Sequence, residues 1–174
     1  MLFYKKCAFL IIVITNVSDK MISYVQIRES DDTKATYEAI HGELLSLCAT
    51  LEEIADSLPS KIDKQACLHT AKNLPKIINR AQKFEEEDIF PLFERLKTPT
   101  LNFNSTLHRL KLEHVKDKYF AEEIAEVLIS YSKDNPTLSA EATGYMLRGF
   151  FEALRRHIAF EHELFANIFT ETLK

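Results

Sequence analysis

Glycine is scarce in this chain, three residues in 174, and proline is held to five. So few breakers argue for long helices rather than a turn-rich β fold. Cysteine is nearly as rare. Cys7, Cys48 and Cys67 form neither an even set nor a metal-ligand spacing, and the last two fall within helical patterns, so reduced, buried thiols in a cytoplasmic protein are expected. An excess of positive charge is missing as well. The formal net charge is −4, with no basic cluster beyond pairs such as Arg155-Arg156, which leaves no electrostatic footprint for nucleic acid. Nor is there a membrane-length apolar run. The one candidate, Cys7 to Ile14 after Lys5-Lys6, resembles the charged and apolar regions of a secretory signal. It falls well short of the roughly 20 residues that span a bilayer, and no small-x-small cleavage site follows Thr15 to Ser18. Residues 1–29 are therefore read as an N-terminal extension. Export is the alternative if residues 1–20 act as a signal, and Met21 is an alternative start.

What remains, residues 30–174, is long enough to bury a real core as one domain. Four helical patterns fill it. The first runs from the capping candidates Asp31 or Asp32 to about Leu58, with a seam of Tyr37, Ile40, His41, Leu44, Cys48, Leu51 and Ala55. A second runs from Pro59-Ser60 to about Lys97, where Pro75 and Pro91 are expected to kink or divide it, and Thr98-Pro99-Thr100 forms a loop. The third runs from Asn104 or Ser105 to about Ser132, with Leu107, Leu110, His114, Ala121, Ile124 and Leu128 on its seam. The fourth runs from Thr137 or Ser139 almost to the end, with Leu147, Phe150, Leu154, His157, Glu161, Leu164 and Ile168 recurring at steps of three and four. Short connections between four long amphipathic helices predict an all-α, antiparallel up-down-up-down four-helix bundle.

Each helix places polar residues on that seam: His41 on the first, Gln82 and Glu86 on the second, His114 on the third, His157 and Glu161 on the fourth. The intervals of 41, 32 and 43 residues from His41 to Gln82, His114 and His157 alternate as expected for strokes joined at opposite ends, which brings the polar groups to one level. A lone His–Glu pair is accounted for by a hydrogen bond in a helix core. Three imidazoles and two carboxylates buried together need a cation to avoid costly unpaired groups.

The single seam histidine on helices one and three, the H-x-x-x-E of His157 to Glu161, and the E-x-x-I-F-P of Glu86 to Pro91 together resemble the hemerythrin-like HHE cation-binding family, over about residues 35–170. That resemblance implies non-haem iron, two ions or one, in the middle of the bundle. It puts His41 and His157 on one ion, His114 on the other, and Glu86 and Glu161 between them. Gln82 stands where the family usually has histidine, and its neutral amide oxygen is the weaker donor. Glu85 and Asp117 could reach the same level but read as solvated rim residues. His69 and His108 point elsewhere, and Glu113 and His162 sit on the flank. Phe84, Phe90, Phe93, Phe150, Phe151, Phe160 and Phe165 read as core. The function implied is binding of a small diatomic, O2 or NO, for sensing, storage or iron-centre protection, with no protein nucleophile. The alternative is a degenerate bundle that serves as a structural or regulatory binding protein without iron chemistry.

Overall fold

A computed structural model describes the backbone of residues 18–95 and 103–171 and the side chains of 32–94 and 103–165. Among these residues every regular element is helical: α1 Ser18–Ser57, α2 Lys64–Phe84, a π-helical turn Glu85–Ile89 leading into α3 Phe90–Arg95, α4 Asn104–Ser132 and α5 Ala140–Glu171. With α2, the π turn and α3 forming one stroke, the result is the expected four-helix bundle. The signal-like stretch and the Thr98-Pro99-Thr100 loop lie outside the described residues.

The chain divides into two compact units between Ala39 and Ile40, and α1 runs through the division. It starts well before Asp31 and Asp32, which lie inside the helix rather than capping it. In the first unit Thr36 Oγ1 donates to the Asp32 carbonyl at 2.9 Å. In the second unit, α2 begins at Lys64 and not at Pro59-Ser60. The reason is Asp63, whose carboxylate accepts from the backbone N–H groups of Gln65 and Ala66 at 2.8 and 3.1 Å, satisfying donors that a helix start leaves unpaired.

The two internal prolines behave differently. Pro75 lies within α2 without ending it. Pro91 follows the π turn, in which the Phe90 N–H bonds to the Glu85 carbonyl. Lacking an N–H and crowding the carbonyl four residues back, Pro91 disfavours a regular turn at this point, and the wider π turn accommodates it. α4 ends in a Schellman motif, with Asn135 N–H on Ser130 O at 3.0 Å, Asp134 N–H on Tyr131 O at 3.2 Å, and Asp134 at a φ of 57°. Ser139 then caps α5 by accepting from Ala142 N–H at 3.1 Å.

One contiguous core fills the second unit. Leu51, Leu74, Ile78, Ile124, Leu128, Leu147 and Phe150 are among its driest large side chains, each contributing roughly 1.5–3 kcal/mol of burial. Charged rims hold the α1–α5 seam in register, with Arg155 Nη2 on Glu52 at 2.6 Å and Arg148 Nη2 on Asp56 at 2.5 Å. This core leaves one level of the bundle to polar groups.

Candidate metal centre

Every stroke of the bundle delivers a buried polar side chain to that level: His41 from α1, Gln82 and Glu85 from α2 and the π turn, His114 from α4, and Glu161 from α5. His157, one turn before Glu161, is almost as dry. The pattern within them is regular. Glu85 Oε1 lies 3.2 Å from His41 Nε2, and its Oε2 lies 3.1 Å from His114 Nε2. Glu161 Oε2 lies 3.4 Å from His41 Nε2, and its Oε1 lies 3.3 Å from His157 Nε2. Each inner carboxylate thus spans two imidazoles, and His41 is shared by both.

The opposite ring nitrogens are held from outside. His114 Nδ1 bonds to Glu86 Oε1 at 2.8 Å, and His157 Nδ1 to Glu113 Oε2 at 3.1 Å. A carboxylate on Nδ1 favours the proton there and turns the Nε2 lone pair inward, the tautomer being inferred from this contact. Phe90 stacks on the His114 ring at 5.6 Å and His162 meets the His41 ring edge-on at 5.0 Å.

Hydrogen bonding satisfies only part of this cluster, as between His41 Nε2 and Glu85 Oε1 at 3.2 Å. Neither oxygen of Glu161 nor Nε2 of His114 has a hydrogen-bond partner, although all are buried, and Gln82 Oε1 is equally orphaned. Buried acceptors left in this condition cost free energy. One ligand atom from each of Glu85, His114, His157 and Glu161 lies within 4.8 Å of the others. Mixed imidazole and carboxylate donors suit a first-row transition metal such as iron or zinc. The residues fit a cation.

A family model for the hemerythrin HHE cation-binding domain matches residues 33–168. This chain belongs to that family. No curated protein and no solved structure matched it. Within this hemerythrin HHE chain, the metal-free cluster balances its own charge with protons. Burial opposes the charged form of His157, but Glu161, Glu85 and Asp117 outweigh it and raise the imidazole to about 9. His114 and His41 are raised in the same way, each against the cost of its burial. Burial would push the Glu85 carboxyl up, but His114 and His41 hold it far below the ordinary range. A metal ion held by these residues would displace such protons.

Sequence reasoning and structure part at the second stroke. Glu86, expected between the metal positions, has a side chain 35% exposed that meets His114 Nδ1, whereas Glu85, read as a rim residue, is 2% exposed and lies between His41 and His114. The reason is helical phase. Glu85 follows the buried Ile78 by seven residues, nearly two whole turns, and so returns to the core stripe, while Glu86 is about 100° further round. Tracing the stripe from Leu74 and Ile78, instead of stepping four residues from Gln82, identifies Glu85. His114 and His157 are neighbours, with ring centroids 5.3 Å apart, and His41 meets both inner carboxylates. Glu113, placed on the flank, orients His157. Asp117 is half-buried, and burial raises its carboxyl against the pull of His157 and His114.

Proposed function

We propose that this protein is a non-haem iron protein that binds a diatomic ligand, O2 or NO, at a centre with two unequal metal positions. The observation that carries the reading is the division of each inner carboxylate, one oxygen toward His41 and the other toward His114 or His157. His114, His157, Glu85 Oε2 and Glu161 Oε1 would hold the stronger position. His41, Glu85 Oε1 and Glu161 Oε2 would hold the weaker one, with the orphaned oxygen of Gln82 on the same helix stripe as a further neutral donor. When bound, ferrous iron supplies an open coordination position and electron density to the diatomic ligand.

The chain's own residues do the rest. Glu86 and Glu113 keep the protons on Nδ1 of His114 and His157, so that both Nε2 atoms stay free to donate. Glu85 and Glu161 offset the cation charge in a site where water cannot. Phe90 covers the His114 ring, and Ile89 and Phe93 beside it in sequence are fully buried. This wall keeps bulk water and larger molecules away, which favours a small neutral ligand. None of these groups is placed as a nucleophile, which supports binding over catalysis of a group transfer.

A second reading rests on the charge balance the cluster can reach with protons alone. Because His41, His114 and His157 are drawn up by Glu85 and Glu161, the polar level can stand without a metal, as in a bundle retained for structural or regulatory binding. Metal analysis of protein produced in iron-supplemented medium and handled without oxygen separates the two. One firmly held iron per chain, a second at excess metal, and a visible absorption that changes on exposure to O2 or NO support the iron reading. A colourless protein with no metal, or with zinc alone, overturns it.

A further inference from the structure

The two metal positions differ in the kind of donor they offer, and Gln82 widens the difference. Its side chain is 5% exposed, and its Oε1 has no hydrogen-bond partner among the described residues. Glu85 follows it by three residues, so the two side chains leave the same face of the stroke. An amide oxygen is a neutral acceptor that carries no proton to lose. A histidine at this place would instead offer nitrogen.

The stronger position draws on the imidazoles of His114 and His157 and on the carboxylates of Glu85 and Glu161, one donor atom from each lying within 4.8 Å of the others. Both imidazoles are backed by outer carboxylates, Glu86 on His114 Nδ1 at 2.8 Å and Glu113 on His157 Nδ1 at 3.1 Å. That backing makes their inner nitrogens stronger donors. At the weaker position oxygen prevails. His41 brings the one imidazole, with Glu85 Oε1 at 3.2 Å and Glu161 Oε2 at 3.4 Å from its Nε2, and Gln82 adds a third oxygen.

Given the two-position iron centre on which this rests, we propose that Gln82 sets metal specificity: the weaker position takes manganese(II) beside iron at the stronger one. Iron binds more tightly than manganese at nitrogen-rich sites, whereas carboxylate and carbonyl oxygens suit manganese. Two backed imidazoles therefore keep iron at His114 and His157. A single imidazole among three oxygens leaves iron little advantage at His41, and manganese in moderate excess occupies that place.

Equilibrium dialysis of the metal-free full-length chain, without oxygen, against ferrous iron and an about tenfold excess of manganese(II) tests the assignment. Elemental analysis of wild type gives one iron and one manganese per chain, and the paramagnetic resonance of the manganese is broadened by the iron beside it. Gln82→His binds two irons under the same conditions, a shift of at least about tenfold toward iron at the second position. Gln82→Glu, which keeps an oxygen there, retains manganese. Unchanged helical circular dichroism shows that each variant is folded, and wild type alone already decides the metal. Two irons held against the manganese excess overturn the specificity and leave the iron reading standing, as does manganese whose resonance no iron disturbs. No metal, or manganese at both positions, overturns the iron reading as well. One manganese retained by Gln82→His overturns the role of Gln82.

Discussion

Around Leu51, Leu74, Leu128 and Leu147 the strokes of the bundle meet through side chains without a polar atom, whereas along the same helices, around His41, Gln82, Glu85, His114 and Glu161, they meet through groups that bear charge. Both levels are dry. At the apolar level burial is the stabilising term, and a vacancy there is a loss of contacts. At the polar level burial is a cost, offset where raised imidazoles pair with Glu85 and Glu161 and left standing at the orphaned amide oxygen of Gln82. The difference teaches that the hydrocarbon level holds the fold while the polar level gathers groups that could hold a cation.

The comparison is broken most severely at the polar level by His114→Ala. That change deletes the donor shared between Glu85 and Glu86 and should weaken the tightest metal binding by at least about a hundredfold, measured by competition with a chromogenic chelator. Leu74→Ala attacks the other level. A fully buried leucine truncated here should cost about 2–5 kcal/mol in urea unfolding, with metal per folded chain unchanged. A variant that lost metal and stability together would show that the levels are coupled rather than separate.

Smaller effects sharpen the contrast within the polar level. Glu86→Gln and Glu113→Gln remove only the outer carboxylates on Nδ1, and each should lower metal affinity about 10–100-fold without reducing the number of ions at saturation. Loss of a whole ion in the Glu86 variant would place that residue inside the site after all. A last contrast lies in pH dependence. In the metal-free protein His157 sits near 9, above its ordinary 6.5. A raised folded-state value contributes stability that is complete below about 6.5 and is lost as pH rises through about 9. Metal-free protein should therefore unfold more easily at pH 9.5 than at pH 7, and His157→Gln should flatten that slope. Leu74→Ala should leave the slope as it is.

Much of this was legible in the residues alone. The three- and four-residue spacing from Leu147 to Glu161, the poverty in glycine and the intervals between His41, His114 and His157 led to the bundle and to one polar level, because helical periodicity is a local property that composition carries. The ends of helices were less legible. Asp63 caps α2 through its side chain, and Asp31 and Asp32 cap nothing, yet all three are the same residue type. The choice between two adjacent glutamates was half-legible: the stripe through Leu74 and Ile78 favours Glu85, and the packing of the helices then sets its carboxylate between His41 and His114. Glu85 and Glu86 are chemically identical and differ by about 100° around the helix, so the choice depends on where the buried stripe of α2 meets α1, α4 and α5. The same holds for the two edges of each imidazole. The sequence supplied the histidines and acids, but the packing of separate helices set which nitrogen met an outer carboxylate and which was left pointing at the centre.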